Sequence, residues 1–214
     1  MSDCCSPEGY RELFSEKSAQ AQAKRYRKRG LDPVSRQIVE LVKQRDLGGV
    51  SVLEVGGGIG AIQLELLKAG AATATSVELT PTYEDAAAEL FEEAGFRDQA
   101  QREIMDFAEH GSDVAAADVV VLNRVLCCYH DMPRLAGAAA EHAGRLLVLS
   151  FPKQRLWTRA LVVAANFGLW VARRKFHIFL HPPERIRAVA ESRGLRTVHD
   201  RPGLFWQVLA LERV

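Results

Sequence analysis

The sequence predicts an α/β protein with a doubly wound, mostly parallel seven-stranded sheet and an antiparallel C-terminal strand. Apolar, strand-like runs alternate with amphipathic, helix-like segments five times along the chain. This alternation is typical of a parallel sheet with helices on both faces. The last two runs, 195–200 and 204–214, are separated only by Arg201, Pro202 and Gly203, which predicts a hairpin at the end of the sheet.

The individual elements carry local signals of their own. Asp32 is suited to cap a helix and Pro33 to occupy its first turn, so a helix is expected before the first strand. The run ADVVVLN at 117–123 is apolar almost throughout, which is typical of a strand buried on both faces. The predicted strands are 50–55, 73–79, 101–107, 117–123, 145–151, 195–200 and 204–214, and the helices between them are 61–70, 83–95, 131–143, 156–175 and 182–194.

Length and charge favour one domain that acts on small molecules. The chain has 214 residues, enough to bury its own core. Its 28 basic and 27 acidic side chains leave a net charge of +1, which argues against broad attraction to nucleic acid or to an anionic membrane. We therefore expect a small-molecule acceptor as partner and no nucleic acid.

The cysteines and the N-terminus indicate a reducing compartment and no metal. The four cysteines form two adjacent pairs, Cys4–Cys5 and Cys127–Cys128, and neither pair has zinc-ligand spacing. The first residues, MSDCCSPEGYRELF, contain no apolar core resembling a signal peptide. The default expectation is a cytoplasmic protein.

The longest apolar stretch lies near the C-terminal end of the predicted parallel sheet. Residues 156–172 are interrupted by Arg159 and Asn166 and are at the lower edge of what spans a bilayer, so no transmembrane segment is expected. We expect a helix that covers the sheet or the substrate pocket. The basic flanks KQR and RRK leave an interfacial helix over 156–175 as the alternative.

A turn with four glycines in five positions follows the first predicted strand, in the sequence LEVGGGIGAIQLELLKAG at 53–70. Glycine allows the positive φ angles of a tight turn, and a turn without Cβ atoms lets a ligand lie against the following helix. Gly56, Gly58 and Ala61 fit the dinucleotide pattern G-x-G-x-x-G/A, and Glu78 ends the second strand where a ribose ligand belongs. A nicotinamide dinucleotide is therefore one candidate cofactor.

Two carboxylates favour a cationic cofactor instead. Glu54 lies two residues before Gly56, where it would attract a positively charged sulfonium but not a pyrophosphate. Asp106 closes the third predicted strand, where it could hold a nucleobase amine, although it could equally cap the following segment FAEHG.

With these motifs in order, the chain from about residue 31 to 214 resembles the class I S-adenosylmethionine-dependent methyltransferases, which have a Rossmann-like fold. VLEVGGGIG is similar to their first motif, SVEL to the ribose-binding motif, MDF to the adenine-contacting motif and VVVLNRVLCCY to the motif beneath the transferred methyl group. The resemblance implies S-adenosyl-L-methionine as cofactor and a methyltransferase domain over 31–214. The implied cofactor-binding residues are Glu54, Gly56, Gly57, Gly58, Gly60, Glu78, Leu79, Asp106, Phe107, Asn123 and Arg124.

Within that class, the chain is similar to magnesium-protoporphyrin O-methyltransferases and small bacterial relatives. The segments that carry this similarity are KRYRKRGLD, VLCCYHD, SFPKQRLWTRAL and GLFWQVLALERV. The porphyrin enzymes are thought to use an N-terminal Tyr and a His before the Tyr of the strand-four motif. Tyr26 matches the former, while Cys128 stands in the histidine's place and His130 follows two residues later. The candidate catalytic residues are therefore His130, Tyr26 and Cys128.

The predicted reaction is methyl transfer to a small molecule by in-line displacement, with oxygen as the leading acceptor atom. Alignment and desolvation supply most of the acceleration, and a base is needed only for an acceptor that holds its proton tightly. Residues 1–30 are expected to form a helical lid with Tyr26 turned inward. An RNA or protein methyltransferase, a cofactor-binding protein without transfer activity, and a thiophilic acceptor such as trivalent arsenic held by the cysteines remain as alternatives.

Overall fold

The computed structural model describes residues 9–10 and 14–214, in which seven strands form one mixed sheet. The strand order is β3-β2-β1-β4-β5-β7-β6. The first five strands pair in parallel, whereas β7 is antiparallel to both β5 and β6. The strands are β1 (Ser51–Val55), β2 (Thr73–Glu78), β3 (Ala100–Ile104), β4 (Ala117–Asn123), β5 (Ala143–Pro152), β6 (Leu195–Pro202) and β7 (Trp206–Arg213). The predicted fold class is confirmed.

Eight α-helices of the described residues surround this sheet, most of them as the sequence pattern predicts. They are α1 (Glu16–Arg29), α2 (Pro33–Lys43), α3 (Ala61–Lys68), α4 (Glu84–Ala94), α5 (Phe107–His110), α6 (Met132–His142), α7 (Leu156–Val171) and α8 (Pro183–Glu191). The carboxylate of Asp32 caps α2 by accepting hydrogen bonds from the backbone N–H groups of Val34 and Ser35, at 3.0 and 3.4 Å. The predicted cap is confirmed.

Two apolar layers hold the helices against the sheet. Along β4, Val119 and Val121 face one layer while Val120 and Leu122 face the other, and all four side chains are at most 4 % exposed. Helices α1 to α4 pack on the first layer and α5, α6 and α8 on the second. Burial on both faces is the reason for the continuous apolar run in this strand.

The third strand is shorter than predicted. The sequence predicts a strand over 101–107, but β3 ends at Ile104. Asp106 then caps the short helix α5, because its side chain accepts a hydrogen bond from the N–H of Ala108 at 3.0 Å. The capping signal outweighs the strand propensity of Phe107, which begins the helix. The alternative interpretation of Asp106 as a cap is confirmed.

Helix α7 forms where it was expected but covers little of the protein. It ends at Val171 rather than at residue 175, and only Thr158 and Val162 among its residues are buried. The expectation that it covers the sheet or the pocket is wrong, because most of its apolar side chains face solvent. Within the described residues, no helix combines the length and apolar character needed to cross a membrane.

The structure describes only one of the two cysteine pairs. Cys4 and Cys5 lie outside the described residues. Cys127 is 5 % exposed and packs as a small core side chain, whereas Cys128 is only partly buried. Their sulfur atoms lie 3.8 Å apart. In the described part of the chain, no cluster of three His, Cys, Asp or Glu side chains is arranged to hold a metal ion.

Candidate active site

A cavity of about 560 Å³ lies at the carboxyl ends of β1, β2 and β4, beneath α1. This is where ligands bind in open α/β sheets, since the strand order reverses beside β1. All but two of the predicted site residues line it. They are Glu54, Gly56, Gly57, Gly58, Glu78, Leu79, Asp106, Phe107, Asn123, Arg124, Tyr26 and Cys128.

The turn after β1 requires glycine, because its φ angles are positive and neighbouring side chains leave no room for a Cβ. Gly56, Gly58 and Gly60 have φ angles of 68°, 61° and 71°, which side chains with a Cβ rarely adopt. A Cβ on Gly60 would lie 2.6 Å from Cε2 of Phe91, and one on Gly56 would lie 2.7 Å from a methyl of Val125. Gly60 therefore serves the packing of α3 and is not part of the cavity lining.

A buried carboxyl lies directly beneath this turn. Glu54 is 1 % exposed, and its Oε2 has no hydrogen-bond partner among the described residues. A Cβ on Gly57 would lie only 2.5 Å from that oxygen. Burial, reinforced by the charge of Glu78, raises the pKa of Glu54 to about 8. An unpartnered acidic oxygen at the cavity wall is suited to receive a cation or a hydrogen-bond donor.

Glu78 is fixed at the end of β2 by neighbours from two other elements. Its Oε1 accepts a hydrogen bond from the N–H of Gly58 at 2.6 Å and lies 4.0 Å from the guanidinium of Arg102. Burial raises the pKa of Glu78 to about 7, against the opposing influence of Arg102. Arg102 also donates to the carbonyl of Gly58 at 2.9 Å and to Glu84 at 2.9 Å. This arginine on β3 therefore ties the glycine turn to the second strand.

Asp106 is held from two directions at the edge of the cavity. Besides capping α5, its carboxylate oxygens accept bonds from the hydroxyl of Tyr129 at 3.1 and 3.0 Å. Burial and the charge of Asp106 raise the pKa of Tyr129 well above its ordinary value. The phenol therefore stays a donor, and it orients Asp106 beside Phe107 in the lining.

Asn123 and Arg124 connect β4 to the second helix. Asn123 donates to the hydroxyl of Ser35 at 3.1 Å and accepts from that of Ser150 at 2.7 Å. Arg124 has a φ of 64° and donates from its guanidinium to the carboxylate of Asp32. These contacts satisfy the amide of Asn123 and hold the N-terminus of α2 over the end of β4.

The three candidate catalytic residues do not meet in one place. Tyr26 and Cys128 line the cavity, but His130 is exposed and lies outside the lining. Tyr26 donates its hydroxyl to Glu65 at 2.5 Å, and burial followed by this bond raises its pKa well above the ordinary value. A phenol held in this way does not accept a proton at neutral pH.

The sequence did not predict the aromatic cover of the cavity, which consists of Tyr10, Phe14, Tyr83 and Phe176. Tyr10, Phe14 and Tyr83 contribute to the lining, and Phe176 packs against Tyr10 and Phe14 with ring centroids 5.5 and 5.9 Å away. The hydroxyl of Tyr10 donates to the carbonyl of Cys128, across 118 positions of sequence. No local pattern marks such contacts, because they depend on segments that meet only in the folded chain.

Comparison with a protein-family model gives a match over residues 11–200, and the family is described as a methyltransferase domain. A search of curated proteins found no match.

Solved structures share the fold at low sequence identity. Magnesium protoporphyrin IX methyltransferase from Synechocystis PCC 6803 with bound SAH is 22 % identical, with a TM-score of 0.69 over 85 % of this chain and 82 % of that one. An O-methyltransferase family protein from Burkholderia thailandensis is 22 % identical, with a TM-score of 0.68 over 94 % of this chain and 63 % of that one. An O-methyltransferase family 2 protein from Planctomyces limnophilus DSM 3776, in complex with apigenin, is 18 % identical, with a TM-score of 0.67 over 93 % and 62 %.

Proposed function

This chain belongs to the methyltransferase-domain family, and on that premise we propose that it transfers a methyl group to a small-molecule acceptor, with oxygen as the methylated atom. The cofactor is S-adenosylmethionine, which supplies a methyl group on a positively charged sulfur. The acceptor class is our proposal, and it rests on the cavity.

The residues around the glycine turn fit this cofactor. Glu54 presents a buried oxygen that no described residue hydrogen-bonds, which suits the positive charge of the methionine end. We assign Gly56, Gly57 and Gly58 to the backbone surface against which that end lies, and Glu78 with Leu79 to the ribose. The adenine is assigned to Asp106 and Phe107, and Asn123 and Arg124 to the floor of the site at the end of β4.

The size and cover of the cavity support a small acceptor. A volume of about 560 Å³ is within the range of small-molecule sites and must hold cofactor and acceptor together. Helix α1 lies over it, with Gln22, Arg25 and Tyr26 in the lining. A nucleic acid would need a basic lining, whereas the described lining sets two arginines, Arg25 and Arg124, against the four carboxyl groups of Asp32, Glu54, Glu78 and Asp106. The structural neighbour bound to apigenin is an example of this fold with a small planar ligand.

The protonation chemistry favours an acceptor that ionises readily. No histidine of the described residues lines the cavity, and the hydroxyls of Tyr26 and Tyr129 donate to Glu65 and Asp106. The chain therefore orients the acceptor and excludes water rather than removing a tightly held proton. A carboxylate or an acidic hydroxyl meets this requirement.

The acceptor class is tested by incubating the protein with methyl-tritiated S-adenosylmethionine and an extract of cells that make it. The extract is then separated into small-molecule and macromolecular fractions. We expect label in the small-molecule fraction, and less of it with Glu78→Gln. Glu103→Gln is the matched control, since Glu103 lies on neighbouring β3 outside the cavity lining. Label only in RNA or protein would overturn the proposal, as would tight cofactor binding without transfer to either fraction.

We further propose that residues 1–30 act as a lid on a methyltransferase domain of residues 31–214, in a cytoplasmic protein. Tyr26 on α1 contacts Glu65 on α3 and so provides a closing contact. The lid predicts that limited proteolysis near Arg25 slows when S-adenosylmethionine is added. A cleavage rate that is independent of the cofactor would exclude it.

A further inference from the structure

Helix α7 presents an unusually apolar surface to solvent. Seven large apolar side chains on it are between 42 and 85 % exposed. They are Leu156, Trp157, Leu161, Val163, Phe167, Trp170 and Val171. We call this surface the outer face of α7. A continuous apolar surface of this kind on a folded chain marks an interaction site.

Thr158 and Asn166, the two uncharged polar residues of this helix, face inward, whereas Arg159 is exposed. Thr158 is fully buried, and Asn166 pairs with the backbone of Ile178 through two hydrogen bonds of 2.9 Å. Val162 lies between them on the same stripe, because residues four apart share one face of a helix. Asn166 thus anchors the helix to the segment at Ile178, and most of the large apolar side chains of the helix have no cover from the described residues.

The charged residues within the segment that carries the outer face have one sign, although Glu184 and Asp200 lie near Lys153 at its start. Residues 153–175 contain six lysines and arginines and no acidic residue. Lys153 and Arg155 precede the helix, while Arg173, Arg174 and Lys175 follow it. The net charge of +1 for the whole chain conceals this local concentration. A second copy of the chain on the same face would bring like charges together, since a twofold interface pairs a patch with itself.

We propose that α7 docks this protein on the surface of an anionic lipid bilayer, with its outer face in the headgroup and acyl boundary. A helix of 16 residues is about 24 Å long and lies in the plane of the interface. Trp157 and Trp170 occupy its two ends, and tryptophan favours the interface for its amphipathic ring. Arg155 before the helix and Arg173 and Arg174 after it meet the lipid phosphates.

The outer face of α7 adjoins the aromatic cover of the cavity. The segment after α7 carries Phe176, which packs edge-on against Tyr10 and Phe14 in the cavity lining. At the other end, Trp157 contacts Phe205, whose neighbour Leu204 is 87 % exposed and extends the apolar surface. Docking would therefore bring the cavity entrance close to the bilayer.

The test measures co-sedimentation of the full chain with vesicles of phosphatidylcholine alone and of phosphatidylcholine with phosphatidylglycerol. We expect binding to the anionic vesicles, weakening with salt, and a blue shift of tryptophan emission. Two of the three tryptophans lie on α7, so the shift reports on this helix. Replacing Arg173 and Arg174 by Gln should weaken binding by about fivefold per residue.

Phe167→Glu should abolish binding to the anionic vesicles. Val214→Glu is the matched control, because Val214 is 88 % exposed and follows the end of β7 opposite to the start of α7. Both variants should keep the thermal unfolding midpoint and the cofactor affinity of the parent. Absence of vesicle binding, or binding that Phe167→Glu leaves unchanged, would overturn the proposal. Dimers in light scattering that Phe167→Glu dissociates, without vesicle binding, would assign the face to a second copy instead.

Discussion

The buried carboxyl of Glu54 allows the cofactor site to be tested by one conservative substitution. Glu54→Gln keeps the shape of the side chain and removes its charge. In the cofactor-free protein the neutral form is favoured, because burial and Glu78 raise the pKa of Glu54 from 4.5 to about 8. A cation bound at the turn reverses this preference. The substitution should therefore have opposite effects on stability and on cofactor binding.

The effect on stability has a defined pH window. A pKa raised on folding means that the folded chain retains a proton that the unfolded chain has lost. The resulting stabilisation is complete below pH 4.5 and disappears as the pH rises toward 8. The whole shift corresponds to at most about 5 kcal/mol at roughly 1.4 kcal/mol per pKa unit. Relative to Glu54→Gln, the parent should thus lose a few kcal/mol of unfolding free energy between pH 5 and 8.

The effect on binding has the opposite sign. Loss of a charged partner for the cofactor should weaken binding by about tenfold to a hundredfold, for a contact of about 1.5–3 kcal/mol. Denaturant unfolding at pH 5 and 8 and calorimetry with S-adenosylmethionine at pH 8 measure the two effects, with Glu103→Gln as control. Equal cofactor affinity in Glu54→Gln and the parent would refute the assignment of Glu54 to the cation.

Three further substitutions test the packing at Gly60, the orientation of Asp106 and the kind of acceptor atom separately. Gly60→Val should destabilise the fold by several kcal/mol in denaturant unfolding, because its side chain would meet Phe91 at a backbone φ of 71°; an unchanged midpoint would contradict this packing. Tyr129→Phe removes the hydroxyl that donates to both carboxylate oxygens of Asp106. It should weaken cofactor binding by about tenfold in calorimetry. An unchanged affinity would show that Asp106 binds the cofactor without this hydrogen bond. Cys128→Ser should leave turnover unchanged if the acceptor is methylated on oxygen, and a loss of turnover would favour a thiophilic acceptor.

The sequence pattern predicts the sheet well because its signals are local. Residues 117–123 form a strand with the predicted bounds, since alternate residues are buried on both faces. Asp106 shows the limit of this reasoning, because capping and strand propensity overlap in MDF and only the contacts with Ala108 and Tyr129 distinguish them.

Long-range contacts account for most of what the sequence did not predict about the site. The family resemblance implies Asn123 as a site residue, but its partner Ser35 is 88 positions away and no pattern identifies it. Tyr10 reaches Cys128 in the same way. The prediction for α7 was wrong for a different reason: its apolar composition indicates burial in the protein, but Thr158, Val162 and Asn166 face inward and most of its apolar side chains are exposed.

Amide hydrogen exchange with and without S-adenosylhomocysteine tests most directly whether the cavity beneath α1 holds the cofactor. We predict slower exchange at 56–60, at the end of β2, at 105–108 and along α1. Unchanged exchange at these segments, with protection around Lys153, Glu184 and Gln207 at the smaller surface cavity, would contradict the assignment.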